Sequence, residues 1–509
     1  MSQLKKGAIL NYTTIFLTNV VGILMTPFIL NKLGKEEYGI YITVGALVGT
    51  ISLLDFGLNN TVTRFVAKYR AEKKQKEEEN FLATTMLIYL VISLIITLIG
   101  IGFYGYLDNY FTKMDSDQIK IAQTIYVIFI FNLAVGLPGG ALTGICYGYE
   151  TFVFPKSLNI ARYIMRSITV VAILSLGGKS IALVIIDSIF NLLIILTTAF
   201  YIFNNLKVKI KLHQLSLKFI KEIFSYSTWI FVFALVALFQ WKAGHWVLGR
   251  IALPSVLTIY GVGIALGTYY GAFSSAISSV FLPRATKMAV NNASGEELTT
   301  MMIKIGRISF IILMYILGAF ILFGNQFVYL WVGKELGIEG SHEIWIIALI
   351  IMIGLTIPLI QYFGTSVLEA QGRIAFKAII YLIFLIIGTI IGAYFAKQYE
   401  GIGMVLCSVL GMVAAQFCLN FYYAKVVKIN ILRFFKEVFN KTFFVIILIV
   451  TISNSFNYIS SSYGWINFLL KAVSYSLVYI VSIYYFGMIK SEKRLFSTPI
   501  EKIINKLKK

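Results

Sequence analysis

Charge is what this sequence has least of. Only 13% of its 509 residues are Asp, Glu, Lys or Arg, against about a quarter in an ordinary soluble domain. No long polar stretch interrupts the chain, which leaves no room for an appended soluble domain. Cysteine is nearly absent. Cys146, Cys407 and Cys418 have a spacing that suits neither a metal site nor a disulfide framework, and they read as small apolar packing residues. The three histidines, His213, His245 and His342, are dispersed. There is no P-loop, nucleophile elbow or HExxH pattern, so no catalytic site, metal site or ATP motor is expected. No cofactor is expected either.

Apolar residues are abundant: 58% of the chain is hydrophobic and the mean hydropathy is +0.82. Long apolar runs recur from end to end, so lipid is the solvent for most of this surface. The expected fold is an all-α polytopic membrane protein with about fourteen transmembrane helices. They fall near 8–30, 38–58, 82–104, 120–142, 155–176, 180–203, 223–244, 255–280, 305–324, 343–366, 377–396, 401–424, 443–460 and 464–488. Each is long enough, or nearly so, to cross a core about 30 Å thick at roughly 1.5 Å per residue. The opening stretch, two lysines and then an apolar run, reads as an uncleaved first helix.

The formal charge of +21 would suggest nucleic acid on a soluble protein. Here topology explains it. Alternate loops carry 32 and 8 of the 44 Lys and Arg residues, with Arg162, Arg166, Lys242 and Lys471 left inside helices. The positive-inside rule then places both termini in the cytoplasm of a bacterial cell, with the protein in its plasma membrane. The basic tail 489–509 carries Ile500, Ile503, Ile504 and Leu507 among lysines and reads as lying on the anionic inner leaflet. A nucleic-acid partner is not expected.

An internal repeat runs at an offset of about 222 residues. Tyr38-Gly39 opens one helix that ends at Arg64, and Tyr260-Gly261 opens another that ends at Arg284. Thr143–Phe154 and Thr365–Phe376 fall at the same offset, each after a helix with an interior proline, Pro138 and Pro358. Asn11-Tyr12-Thr13-Thr14 resembles Ser225-Tyr226-Ser227-Thr228. The expected organisation is a six-helix half over 1–203, a basic linker over 204–222 and a second six-helix half over 223–424. Two extra helices follow over 425–488, then the tail. An even helix count per half keeps the halves parallel, related by an axis along the membrane normal, as in alternating-access transporters. Pro138 and Pro358 are hinge candidates or static bends; both readings stay open.

Charges inside helices carry the functional signal. Arg162 and Arg166 lie about 10 and 16 Å into helix 5, four residues apart and so on one face. An arginine near the bilayer centre costs roughly 2.5–3.5 kcal/mol. Two on one face make sense facing a wet cavity that receives an anion, and the planar fork suits phosphate oxygens. Alternatively Arg162 snorkels and Arg166 pairs with Asp55 or Asp187. Lys242, His245, Arg250 and Lys471 are candidate cavity cations or interfacial anchors. Asp55, Asp187 and Glu369 are the candidate acids, either for coupling to a proton or sodium ion or as partners of the arginines.

The blocks Asn11–Pro27, Leu33-Gly34-Lys35-Glu36-Glu37-Tyr38-Gly39-Ile40-Tyr41, Ser52–Leu58 and Arg64-Phe65-Val66-Ala67 resemble a known family. The Tyr260–Ala265 stretch adds a weaker match. The family is the polysaccharide-transport branch of the multidrug/oligosaccharidyl-lipid/polysaccharide exporter superfamily, the O-antigen or capsule repeat-unit flippases. The resemblance implies movement of an undecaprenyl-diphosphate-linked oligosaccharide to the outer leaflet, beside a polysaccharide polymerase and chain-length regulator. On that reading Arg162 and Arg166 hold the diphosphate. One departure stands out: the family often carries an acid in helix 7 before an Ile/Val-Leu-Gly, whereas Lys242–Gly249 contains none. A drug/cation antiporter and a peptidoglycan lipid-precursor flippase of the same superfamily are the alternatives within transport. A glycosyltransferase or a non-transporting scaffold of the assembly complex is the alternative outside it.

Overall fold

The computed structural model describes residues 3–214, 231–279, 282–291, 293–459 and 464–493. The Ser225–Thr228 motif, part of the linker and the tail beyond 493 lie outside them. Among the described residues there is no strand. In chain order the helices are α1 (Gln3–Leu33), α2 (Lys35–Ile51), α3 (Leu58–Ala71), α4 (Gln75–Tyr104), α5 (Leu107–Tyr110), α6 (Ser116–Gly148), α7 (Val153–Ser175) and α8 (Ser180–Asn204). They continue with α9 (Phe231–Trp241), α10 (Ala243–Ile251), α11 (Pro254–Ser279), α12 (Leu282–Val290), α13 (Gly295–Ile360), α14 (Tyr362–Ala370) and α15 (Ala375–Tyr422). The last are α16 (Ile431–Asn454), α17 (Phe456–Ile459) and α18 (Trp465–Ser482).

Nine of the described helices are long and apolar enough to cross a membrane, or ten if α9 and α10, bent by 42°, form one span. Two of the nine are too long for a single crossing. At 1.5 Å per residue a 66-residue helix would reach about 100 Å. Instead α13 breaks at Gly337 (φ 74°, ψ −173°), and its arms lie side by side, with Trp345 Nε1 donating to the Phe320 carbonyl at 2.9 Å. α15 breaks at Glu400, and Tyr381 Oη on one arm donates to Gln416 on the other. Both are helical hairpins.

The chain forms two compact units. One comprises 1–262 with 385–404, the other 263–384 with 405–509. In the first, α6 is the central helix, packed against α2, α3, α4 and α8, while α1 lies against α7. α6 opens on a capping box: Asp115 accepts from the Gln118 amide at 2.8 Å and the Gln118 side chain accepts from the Asp115 amide. Pro138 sits inside α6, which runs on as one helix to Gly148. In the second unit α13 packs against α14, α16 and α18. There Pro358 lies two residues before the end of α13, and Gln361 (φ −95°, ψ 8°) separates it from α14.

Two local arrangements recur near the offset of about 222 residues. Phe154 stacks on Tyr201 at 3.8 Å and 10°, and Phe376 stacks on Tyr422 at 4.2 Å and 8°, close to the same offset. The turn after α6 places Glu150 at φ 58° with Thr151 N–H on the Cys146 carbonyl. The turn after α14 places Gly372 at φ 68° with Arg373 N–H on the Leu368 carbonyl. The two Tyr-Gly pairs meet within the first unit. A Cβ at Gly39 would overlap the Pro254 carbonyl at the start of α11, and one at Gly261 would overlap Ile42 of α2. Gly39 is required by the close approach of the α11 backbone, and Gly261 by the Ile42 side chain that fills the space beside it. Thr258 of α11 hydrogen-bonds the Lys35 carbonyl beside it.

Candidate functional site

The intramembrane arginines sit on α7, whose first turn contains Pro155, a residue tolerated there because its missing N–H would be unpaired anyway. A turn with Gly177 at φ 95° reverses the chain into α8, and Asp187 comes opposite Arg166 across this hairpin. Arg166 grips Asp187 with two donors, Nε to Oδ1 and Nη2 to Oδ2, the latter at 3.0 Å. Tyr41 of α2 adds a long hydroxyl contact to Oδ2 at 3.5 Å. Both side chains are 23% exposed. A fork-to-fork pair is the strongest geometry open to an arginine and a carboxylate, so Arg166 is occupied. Of the two partners left open by the sequence, Asp187 is the one in contact.

One helical turn earlier the situation reverses. Arg162 has a buried Nε with no hydrogen-bond partner among the described residues. Its guanidinium carbon lies 5.4 Å from the Tyr163 ring centroid. A donor held dry without an acceptor forfeits about 1–3 kcal/mol, more for a charged group. An anion arriving there would recover it. The two arginines are thus unequal: Arg166 is neutralised and Arg162 is available. Beside Asp187 runs a second polar chain, in which Asn132 Nδ2 donates to Ser188 Oγ at 2.8 Å and Asn191 Nδ2 to Asn132 Oδ1 at 3.1 Å. No single residue in the sequence marks this α6–α8 contact.

The other candidates are spread out. Asp55 ends the 3-10 turn Ser52–Asp55 near the buried Tyr89 hydroxyl of α4. Lys242, exposed, lies at the α9–α10 junction one turn from His245, which is buried edge-on to Tyr260 at 5.0 Å. Arg250 is exposed in the last turn of α10, its carbonyl accepting from Thr112 Oγ1 at 2.6 Å. In the second unit Lys471 donates to Gln326 at 3.2 Å, and Gln326 to Asn467 at 3.1 Å. Glu369 is exposed on α14 near Lys377, whose Nζ donates to Thr365 at 2.9 Å.

Sequence reasoning missed one cluster altogether. Arg307, counted as a loop charge, is 6% exposed and pairs with Glu492, 4% exposed, at 2.6 Å. Its Nη1 donates to the Glu437 carbonyl at 2.7 Å, and Nη2 to the Gly487 carbonyl at 3.1 Å and to Thr442 at 3.2 Å. Glu437 lies just before the break in α16 at Asn440, and Gly487 ends the turn after α18. Arg307 therefore caps carbonyls that those interruptions leave without intrahelical partners.

The model of the family described as polysaccharide biosynthesis protein matches residues 4–290, more than half of the chain. The chain belongs to that family. The match covers the N-terminal blocks that carry the resemblance. A putative O-antigen transporter of Shigella flexneri is 21% identical over 385 residues, 74% of this chain and 87% of the relative. An uncharacterized membrane protein, EpsK, of Bacillus subtilis strain 168 is 23% identical over 225 residues, 43% of this chain and 44% of that one. The match therefore spans less than half the length of EpsK. Among solved structures, the lipid II flippase MurJ in an inward closed conformation superposes with a TM-score of 0.71 at 14% identity, over 97% of this chain and 99% of MurJ. An inward-facing multidrug resistance transporter of the superfamily gives 0.61 at 14% identity, over 80% and 92%. These solved structures share their fold with this multi-pass membrane protein.

Proposed function

We propose that this protein flips an undecaprenyl-diphosphate-linked oligosaccharide repeat unit from the inner to the outer leaflet of the plasma membrane by alternating access, for capsule or O-antigen synthesis. The observation that carries the reading is Arg162, a cation inside a membrane helix whose buried Nε lacks an acceptor. The family membership and the O-antigen transporter relative supply the substrate class. The diphosphate meets Arg162 first, with Arg166 held in reserve by Asp187. The polyprenyl tail stays in lipid while the sugar crosses a polar path. A potential negative inside favours outward movement of anions by about 2.3 kcal/mol per charge per 100 mV. Both termini lie in the cytoplasm, and a proton or sodium ion is the candidate coupling ion. The polymerase and chain-length regulator receive the product.

The test is flipping in liposomes, followed as protection of a fluorescent undecaprenyl-diphosphate oligosaccharide from an external sugar-modifying enzyme. Arg162→Ala slows flipping about tenfold or more, the equivalent of one lost charge-assisted contact. Arg162→Lys keeps the charge without the fork and falls between. Normal flipping by both variants rejects the site. Wild-type protein that moves no oligosaccharide head group rejects the function. Faster movement of a peptidoglycan lipid precursor would transfer the assignment to that substrate.

A further inference from the structure

Three helix ends of the first unit carry a charged residue where a glycine is usual. The chain leaves α3 through Lys73 at φ 55°, α6 through Glu150 at φ 58° and α8 through Lys207 at φ 52°. The turns are closed by Lys74 N–H on the Tyr69 carbonyl, Thr151 N–H on Cys146 and Val208 N–H on Ile202. In such caps the left-handed residue is commonly glycine, because a side chain is disfavoured there. Two of the three strained residues, Lys73 and Lys207, converge on one cleft.

That cleft has a volume of about 340 Å³, and its rim is formed by Arg70, Lys73, Lys74, Lys207 and Lys209. Its carboxylates are already engaged. Glu78, buried, accepts from the Tyr149 hydroxyl at 2.8 Å, and Glu79, buried, faces His213 at 3.0 Å. Lys74 pairs with Glu72 at 2.7 Å, outside the cleft lining. The Arg70 guanidinium carbon lies over the Tyr149 ring, 3.5 Å from its centre, which holds the side chain at the cleft by a cation–π contact. Lys73, Lys207 and Lys209 have no ion-pair partner among the described residues. Backbone strain is therefore spent on holding cations together rather than on pairing them, the pattern expected where a ligand completes the charge balance.

We propose that this cleft is a binding site for a phosphate group, held by Lys73, Lys207 and Lys209 with Arg70 as the planar donor. It is distinct from the α7 arginines and does not rest on the flippase assignment, since binding is read without transport. Two sources share this chemistry: the head group of an anionic lipid and a soluble phosphate anion.

The experiment uses the full chain in detergent and titrates short-chain phosphatidylglycerol, short-chain phosphatidylcholine and inorganic pyrophosphate against intrinsic fluorescence and thermal unfolding. The key variant is Lys73→Gly with Lys207→Gly, which removes two cations and relieves two strained backbones at once. Phosphatidylglycerol should bind wild-type protein at least tenfold more tightly than phosphatidylcholine, and the variant should lose that preference while its Tm holds or rises. A single Lys428→Gly change, at a left-handed lysine that is not part of the cleft lining (φ 63°), should leave binding intact. Pyrophosphate that matches the lipid, with the same sensitivity to the variant, assigns the site to a soluble anion. Equal binding of phosphatidylcholine, or unchanged affinity in the double variant, overturns the proposal.

Discussion

Arg307 and Glu492 offer the sharpest test of the packing in the second unit. Changing Arg307 to Met leaves the Glu492 carboxylate, 4% exposed, with the Ile489 amide at 2.9 Å as its remaining hydrogen bond. It also strips a donor from the carbonyls of Glu437 and Gly487. Removing one partner of a buried pair costs about 3–5 kcal/mol. Changing Glu492 to Leu strands the guanidinium with only the two carbonyls and Thr442, and about 3 kcal/mol is expected. The double change removes both charges together. Only desolvated carbonyls are then lost, so the double variant should sit within about 2 kcal/mol of wild type. The coupling energy comes to at least about 4 kcal/mol, nearly a thousandfold or more in the unfolding constant. Denaturant unfolding in mixed micelles measures all four corners of the cycle. Single variants that each cost under about 1 kcal/mol, or a double variant equal to the sum of the singles, would refute the reasoning.

Three smaller predictions go with it. Asp187→Asn halves the grip on Arg166 and should lower stability by about 1–3 kcal/mol in the same assay, with Asp187→Asn/Arg166→Gln recovering part of the loss. Gly39→Val drives a branched side chain into the Pro254 carbonyl and should cost about 3 kcal/mol or block accumulation of folded protein, visible as loss of the monodisperse peak in size-exclusion chromatography. Tyr110, in the short α5, donates to the Trp246 carbonyl at 2.7 Å, and burial pushes its phenol up to about 12. Tyr110→Phe should cost about 1 kcal/mol at every pH from 6 to 9. The raised folded-state value means the tyrosine's contribution is complete below the ordinary phenol value and declines only as pH climbs toward 12. A difference that already shrinks between pH 6 and 9 would contradict this.

Much of the fold was readable because lipid imposes its own spelling. Apolar runs of sufficient length locate α4, α6 and α8 without ambiguity. The site was readable only in part. Spacing put Arg162 and Arg166 on one face, yet it left open whether both face a cavity or Arg166 pairs with Asp55 or Asp187. What separates them is a carboxylate on the next helix, and hydropathy cannot say which acid turns toward which arginine. Arg307 was misplaced for the same reason. Its partner is 185 residues away, and a basic residue at the end of an apolar run looks identical whether it meets water or a buried glutamate. The lysines at left-handed positions left no trace, since lysine is common in loops of any conformation.

The contact of α2 with α11 has a mechanical consequence. Most packed helices mesh like gears, side-chain ridges of one seated in grooves of the other, and sliding or turning must climb out of a notch. At Gly39 the tooth is filed away and the α2 backbone rests on the Pro254 carbonyl, while Gly261 makes room for the Ile42 side chain. Such a contact is a bearing: it fixes the spacing of two rods while offering little resistance to a change in the angle between them. A side chain at either glycine would act as a wedge in that bearing, so rocking of the pair should be lost even where the fold survives.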